Sequence, residues 1–196
     1  MIVVLVEGDG DKRAVPILVG RESSDLKLRA VDMRGKSNIV RAHHGFEDTV
    51  RRQRALGGRA FLVLMDADVT FAPYRSLEEE RADMRARAEA LARELGALVG
   101  LCWSVLTAES WLIGGLRPQA AYCGLNGAQR APANTETAPA NPKAWLERYL
   151  QDHDYTPKTQ ECLARNVDLQ LARGRNQSLR VFLEKVRRAG ESAATA

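Results

Sequence analysis

Acidic residues stand directly after two apolar runs of this 196-residue chain, where their carboxylates could act together. Glu7 follows the run IVVLV, and Asp66 and Asp68 follow the run FLVLM. Three carboxylates within a few ångströms of one another repel strongly unless a cation lies among them. Because no His or Cys stands beside them, their oxygen ligands favour Mg²⁺ or Mn²⁺ over zinc. Asp11 lies four residues after Glu7, so it can face the same site and hold a second ion.

The elements that position these acids are predicted from the pattern of apolar residues. IVVLV and FLVLM are short continuous runs, typical of strands that are buried on both faces of a parallel sheet. Two further strands are predicted over 26–33 and 98–106, and helices over 38–56 and 77–95. Because proline interrupts helices, any helix between the first two strands is expected to be short or to begin near Pro16. This order predicts an α/β fold with a mainly parallel four-stranded sheet flanked by helices.

The chain divides into three parts by composition. Residues 1–116 carry the alternating strands and helices and form the predicted catalytic domain. Residues 117–142 are rich in Ala, Pro, Asn, Gly and Thr, which predicts an irregular surface loop or linker. Residues 143–196 predict a helical C-terminal extension that packs on the same domain. Since ligands of parallel α/β sheets bind at the carboxyl ends of the strands, Glu7, Asp66 and Asp68 are the candidates for function.

Composition and charge limit the classes of function. The hydrophobic content of 45% suits one globular domain with a full core. The net charge of +4 permits contact with nucleic acid without requiring it. No apolar run approaches the ~18 residues that cross a bilayer, and no leader pattern opens the chain, so a cytoplasmic protein without a membrane partner is expected. The three distant cysteines, Cys102, Cys123 and Cys162, form no CxxC pair and predict free thiols rather than zinc ligands or disulfides.

Two motifs resemble those of the Toprim family. VLVEGDGDKRAVP resembles its first motif, a strand followed by Glu-Gly and, in the nuclease branches, by an Asp four residues after the Glu. LVLMDADVT resembles its second motif, a strand followed by Asp-x-Asp. The resemblance covers about residues 1–115. It is nearest to the Toprim domains of OLD-family nucleases and to small stand-alone Toprim-like bacterial proteins that are found near ATPase genes.

The resemblance implies a Toprim-like (Rossmann-like) fold and cleavage of phosphodiester bonds in DNA or RNA with Mg²⁺ or Mn²⁺. Glu7 is then a metal ligand or a general base acting through water, and Asp66 and Asp68 hold the main ion. Asp11 holds the second ion of a two-metal arrangement. The resemblance also assigns Glu109, which precedes a Trp-Leu step, to the metal site.

A catalytic cation and partners complete this hypothesis. Charge that develops on the phosphate in the transition state requires a cation from the protein. Lys36 is the candidate, because it follows the second strand and so is expected at the same end of the sheet as the acids. By analogy with the stand-alone proteins, an ABC-type ATPase or a second copy of the chain is the expected protein partner. The same analogy suggests a role in phage defence or repair.

Two other functions remain open. DADVT matches the opening Asp-x-Asp-x-Thr of haloacid-dehalogenase-like phosphatases, in which Asp66 would be the nucleophile. Two predicted strands precede this motif instead of none, and Glu7-Gly8 has no role in that reading. Alternatively, the chain is a non-catalytic Toprim binding module that acts through a partner.

Overall fold

A computed structural model describes residues 1–41, 45–67, 70–117, 123–125, 131–150 and 154–195 of the chain. Within these residues, four strands form a parallel sheet in the order β2-β1-β3-β4. The strands are β1 (Ile2–Val6), β2 (Leu28–Asp32), β3 (Ala60–Asp66) and β4 (Leu98–Ser104). The helices of the first half are α1 (Asp9–Glu22), α2 (Lys36–Val40), α3 (Phe46–Ala55), α4 (Leu77–Leu95) and α5 (Glu109–Gly114). The second half contributes α6 (Pro142–Tyr149), α7 (Pro157–Asn166), α8 (Leu169–Arg175) and α9 (Gln177–Thr195).

The strand register brings the carboxyl ends of β1 and β3 together at one edge of the sheet. Val4 of β1 is paired with Leu62 of β3, and Asp66 at the end of β3 is paired with Ser104 at the end of β4. Both central strands are buried along their apolar runs, as continuous apolar patterns predict. The predicted α/β class with a parallel four-stranded sheet is therefore confirmed.

Helices cover both faces of the sheet and enclose two apolar layers. On one face, α2, α3 and α4 pack on side chains that include Val3, Leu5 and Phe61. On the other face, α1 and the C-terminal helices pack on Val4, Leu62 and their neighbours. In this second layer, the rings of Trp111 in α5 and Phe182 in α9 stack with centroids 5.1 Å apart. The C-terminal helices therefore share one core with the sheet.

Two helix predictions differ from the structure. α1 extends from Asp9 to Glu22 and contains Pro16 in its interior, so the expectation of a short helix was wrong. Burial of one helix face, including Val15 and Leu18, offsets the backbone hydrogen bond that Pro16 cannot donate. The single helix predicted over 38–56 is two helices, α2 and α3, with residues 42–44 outside the described part. Gly45 precedes α3 where a Cβ atom would lie 2.3 Å from the Arg41 carbonyl oxygen.

The segment predicted as a surface linker contributes to the interior. Leu125 forms an isolated antiparallel bridge with Leu150, and Thr135 is fully buried. The Thr135 hydroxyl accepts a 3.0 Å hydrogen bond from Asn176 Nδ2, which lies just before α9. Local composition could not predict this burial because the partner residues lie far along the chain.

The cysteine prediction was wrong for two of the three thiols. Cys123 and Cys162 form a disulfide that joins the segment before α6 to α7. Cys102 is a free, buried cysteine of β4, as predicted. The two half-cystines are separated by 39 residues and carry no local spacing signal, so only the tertiary fold brings them together.

Across the described residues, no helix combines the length and the apolar content that a bilayer crossing requires.

Candidate active site

The carboxyl tips of β1 and β3 are joined through the side chain of Glu7. The Asp66 backbone N–H donates a 2.8 Å hydrogen bond to Glu7 Oε1. Glu7 is the first residue after β1, and parallel pairing places the end of β3 beside it. The predicted proximity of Glu7 and Asp66 is therefore found in the structure. Asp68, the second acid of the DAD motif, lies outside the described residues.

The Asp66 carboxyl group is held at the end of β3 by its neighbour strand. Ser104 Oγ donates a 2.5 Å hydrogen bond to Asp66 Oδ1, and Ser104 is fully buried. Burial raises the pKa of Asp66 well above its ordinary value, and the nearby carboxylates of Asp11 and Glu7 raise it further. A cation bound beside Asp66 would offset the repulsion from these carboxylates, although not the cost of burial.

Asp11 faces the same acidic group from the first turn of α1. Gln160 Nε2 of α7 donates a 2.7 Å hydrogen bond to Asp11 Oδ1. Burial, followed by the charges of Glu109 and Glu7, raises the pKa of Asp11 to about 7, against an opposing effect of the Gln160 hydrogen bond. A Cβ atom on Gly10 would lie 1.9 Å from Gln160 Oε1, so glycine at this position allows the contact.

Glu109 is the first residue of α5, which follows β4 in the chain, and it is the fourth acid near Glu7, Asp11 and Asp66. Its charge contributes to the raised pKa values of both Asp11 and Asp66. The Tyr155 hydroxyl is buried near Glu109 without a hydrogen bond of acceptable geometry in the described structure. Burial and then the charge of Glu109 raise the pKa of Tyr155, so its proton is firmly held at neutral pH.

Lys36 reaches the carboxyl end of β3, where the sequence predicted a catalytic cation. Its Nζ donates a 2.9 Å hydrogen bond to the Asp66 carbonyl oxygen. The same atom lies 2.9 Å from Oε1 of the fully buried Glu80, although the two atoms are not aligned as a hydrogen bond. The turn that precedes Lys36 is fixed by a 2.6 Å hydrogen bond from Gly35 N–H to the Glu7 carbonyl oxygen. Lys36 is thus close to the acids and forms an ion pair with Glu80.

The acids of the described residues do not form a complete set of metal ligands by themselves. No three acidic, histidine or cysteine side chains of the described ranges converge closely enough to bind one ion. Mg²⁺ commonly retains several waters and takes only one or two carboxylates from the protein, so it is an ion that two acids could hold. Glu7 and Asp66 are the pair that the fold supplies for such an ion, with Asp11 and Glu109 nearby.

Three residues of this site were not predicted: Ser104, Tyr155 and Gln160. Gln160 and Asp11 are 149 residues apart in the sequence, so no spacing pattern connects them. Ser104 lies within the predicted fourth strand (98–106) and is the last residue of the observed β4, but the sequence did not show that it would pair with Asp66. The site is therefore built from the sheet and from the C-terminal helices together.

No family model matches the chain, and no curated protein or solved structure is significantly similar to it. The resemblance to the Toprim family consequently depends on the two sequence motifs alone.

Proposed function

We propose that this chain is a Mg²⁺- or Mn²⁺-dependent nuclease of the Toprim type that hydrolyses phosphodiester bonds in DNA or RNA. The observation that carries the proposal is the contact of Glu7 with Asp66 at the carboxyl ends of a parallel sheet. Burial, and then repulsion between neighbouring carboxylates, raises the pKa values of Asp66 and Asp11 there. The carboxyl ends of such a sheet are where α/β proteins bind their ligands. A divalent cation is the ligand that best relieves this repulsion.

The proposed chemistry uses the acids in distinct roles. Asp66, together with Asp68, holds the main ion, and Glu7 binds it or accepts a proton from a water molecule. Asp11 and Glu109 are the candidates for a second ion. A bound divalent ion lowers the pKa of its water and neutralises charge on the phosphate, which is the contribution that the acids alone cannot make.

The phosphatase alternative leaves part of this arrangement without a role. Glu7, whose side chain accepts the hydrogen bond from the Asp66 amide, has no place in the Asp-x-Asp-x-Thr motif. Two strands, β1 and β2, also precede β3 in the chain, whereas that motif usually follows the first strand. The nuclease hypothesis gives a role to both Glu7 and Asp66.

Partners and location follow from the same hypothesis. We propose nucleic acid as the substrate, an ABC-type ATPase or a second copy of the chain as the protein partner, and a cytoplasmic role in phage defence or repair. Disulfides are rare in a reducing cytoplasm, so the Cys123–Cys162 bridge of the structure runs counter to this location.

Cleavage of labelled oligonucleotides tests the proposal. We expect the wild-type chain to cleave single- or double-stranded DNA or RNA when Mn²⁺ or Mg²⁺ is present and not in EDTA. Asp66→Asn is expected to reduce cleavage by at least about a hundredfold, since removal of a key catalytic electrostatic group has effects of this size. The matched control is Asp25→Asn, which changes an exposed aspartate before β2 at the opposite end of the sheet.

The three functions give different results in these assays. Loss of cleavage in Asp66→Asn with normal cleavage in Asp25→Asn supports the nuclease. Hydrolysis of small phosphate monoesters without nucleic-acid cleavage would favour the phosphatase. If the chain bound Mn²⁺ and nucleic acid but cleaved neither DNA nor RNA, alone or with an ATPase partner, the binding-module alternative would be correct.

A further inference from the structure

Arg81 lies on the face of Trp103 beside the candidate site. Arg81 belongs to the second turn of α4, and its Cζ is 5.2 Å from the centroid of the Trp103 ring. Trp103 is the penultimate residue of β4 and pairs in register with Met65, the residue before Asp66. The guanidinium is therefore held near the carboxyl ends of β3 and β4, the edge that carries the acids.

Arg81 stacks on Trp103 while its Nε has no hydrogen-bond partner among the described residues. This Nε is buried, and no carboxylate of the described residues forms an ion pair with Arg81. Arg87, six residues further along α4, shows the contrasting arrangement. Arg87 Nε pairs with Glu47 Oε1 at 2.6 Å, and its Nη1 donates to the Val40 carbonyl oxygen. The guanidinium of a half-buried arginine that stacks on a ring without polar partners can donate its N–H groups to an anion.

The position of Lys36 shows how near Arg81 is to the proposed chemistry. Lys36 Nζ lies 5.8 Å from the centroid of the same Trp103 ring and donates to the Asp66 carbonyl oxygen. The charge of Lys36 is offset by Glu80, whereas the charge of Arg81 has no such offset among the described residues. Of these two cations, Arg81 has the greater capacity to attract a phosphate.

We propose that Arg81, held flat against Trp103, binds a phosphate group of the nucleic-acid backbone next to the bond that is cleaved. The inference rests on the proposed nuclease function and adds a substrate-binding residue that neither motif contains. A guanidinium presents paired N–H donors that match two phosphate oxygens, and stacking on an indole ring restricts its orientation. The phosphodiester is common to DNA and RNA, so both polymers should use this contact.

Equilibrium binding to fluorescein-labelled single-stranded oligonucleotides, in DNA and RNA forms, tests the inference. Each protein carries Asp66→Asn so that the oligonucleotide is not cleaved, and titrations are made without divalent ions at several salt concentrations. We expect Arg81→Ala to weaken binding by roughly tenfold, the size of one charge-assisted contact. The slope of log affinity against log salt should decrease in magnitude by about one, as expected for the loss of one phosphate contact.

Two control variants separate this contact from general charge. Arg93→Ala removes an exposed arginine 12 residues further along α4, about 18 Å away at 1.5 Å per residue, and is expected to change affinity by less than about twofold. Arg81→Lys keeps the charge without the flat, two-pronged group, so the salt slope should stay while affinity falls. Circular dichroism confirms that each variant is folded.

The outcomes distinguish this inference from the function on which it rests. If wild-type protein cleaves nucleic acid but Arg81→Ala binds with unchanged affinity and salt slope, the Arg81 contact is wrong and the nuclease stands. If the protein neither binds either polymer nor cleaves it in Mn²⁺, both proposals fail. Equal losses in Arg81→Ala and Arg93→Ala would also overturn the inference, because they indicate only a general effect of net charge.

Discussion

Glu7 Oε1 of the β1 tip accepts a 2.8 Å hydrogen bond from the Asp66 amide of the β3 tip. This contact places two acids from different parts of the sequence at one point of the sheet edge. Asp11 of α1 and Glu109 of α5 also lie close enough to raise the pKa of Asp66. Four acids that are distant in the sequence therefore influence one another at this point. The stability and the metal affinity of the protein should both reflect this concentration of charge.

The raised pKa of Asp11 predicts a pH-dependent stability in the absence of divalent ions. Below the ordinary carboxyl pKa of 3.8, Asp11 is protonated in both the folded and the unfolded chain. Between 3.8 and about 7 the unfolded chain loses this proton and the folded chain retains it, so the free energy of unfolding falls as pH rises. The loss is at most about 4 kcal/mol for this shift.

Urea unfolding of wild type and Asp11→Asn between pH 4 and pH 8 measures this effect. Asparagine can still accept the hydrogen bond from Gln160, so the variant should be more stable than wild type near pH 8 and show a flatter pH profile. Parallel pH profiles for the two proteins would show that Asp11 is ionised normally in the folded chain.

Replacing Gly10 by alanine is expected to weaken metal binding, although alanine favours helices more than glycine does. Glycine-to-alanine changes inside helices usually stabilise by about 0.5–1 kcal/mol. At Gly10 the new Cβ would lie 1.9 Å from Gln160 Oε1, so Gln160 must move away from Asp11. We therefore expect Gly10→Ala to weaken Mn²⁺ binding by about tenfold, the lower end of the effect of losing a group that orients a metal ligand.

The same helix supplies the control for Gly10. Gly20 also lies in α1, and a Cβ atom there would contact nothing within 4 Å. Gly20→Ala should raise stability without changing Mn²⁺ affinity in calorimetric titrations. An equal Mn²⁺ affinity for Gly10→Ala and wild type would mean that the Gln160 contact does not position Asp11 for the ion.

The buried pair of Lys36 and Glu80 predicts a stability effect that is separate from catalysis. Lys36→Met leaves the fully buried Glu80 without its cation, and loss of one partner of a buried ion pair costs about 3–5 kcal/mol. Glu80→Gln in the same chain should restore part of this stability, because the neutral side chain can still accept from the Phe71 N–H. Denaturant unfolding of the two single variants and the double variant gives the coupling energy. A coupling energy near zero would indicate that the pair is not formed in solution.

The disulfide predicts a dependence of stability on reduction. Closing a loop of this length restricts the unfolded chain, and removing such a bridge typically costs about 2–4 kcal/mol. Thermal unfolding with and without dithiothreitol should show this loss in wild type. The Cys123→Ser/Cys162→Ser variant serves as the control, since its stability should not respond to the reductant. If dithiothreitol lowered the stability of that variant by the same amount, the loss would not arise from the Cys123–Cys162 disulfide.

The sheet and its acidic edge could be predicted because their signals are local. β1 and β3 are continuous apolar runs that end in acids, and α4 carries one apolar stripe between Ser76 and Gly96, which cap its two ends. The predicted bounds of α4 agree with the structure for this reason. The position of Glu7 beside Asp66 then follows from parallel pairing alone.

The remaining parts of the site depend on contacts across the chain. Gln160 and Tyr155 belong to a C-terminal extension whose sequence predicts helices but not where they pack. The length of α1 was misjudged because burial against α7 offsets the local cost of Pro16. The Cys123–Cys162 bridge depends on the same packing, since Cys162 is two residues from Gln160.

Anomalous diffraction from crystals soaked in Mn²⁺ would locate the proposed metal site. We expect a peak at the carboxyl ends of β1 and β3, with an oxygen of Asp66 or Glu7 at about 2.0–2.3 Å, the range expected for a hard divalent ion bound by oxygen. The peak should be absent in Asp66→Asn crystals. A Mn²⁺ peak found only elsewhere on the protein, or retained at full height in Asp66→Asn, would show that these acids do not bind the ion.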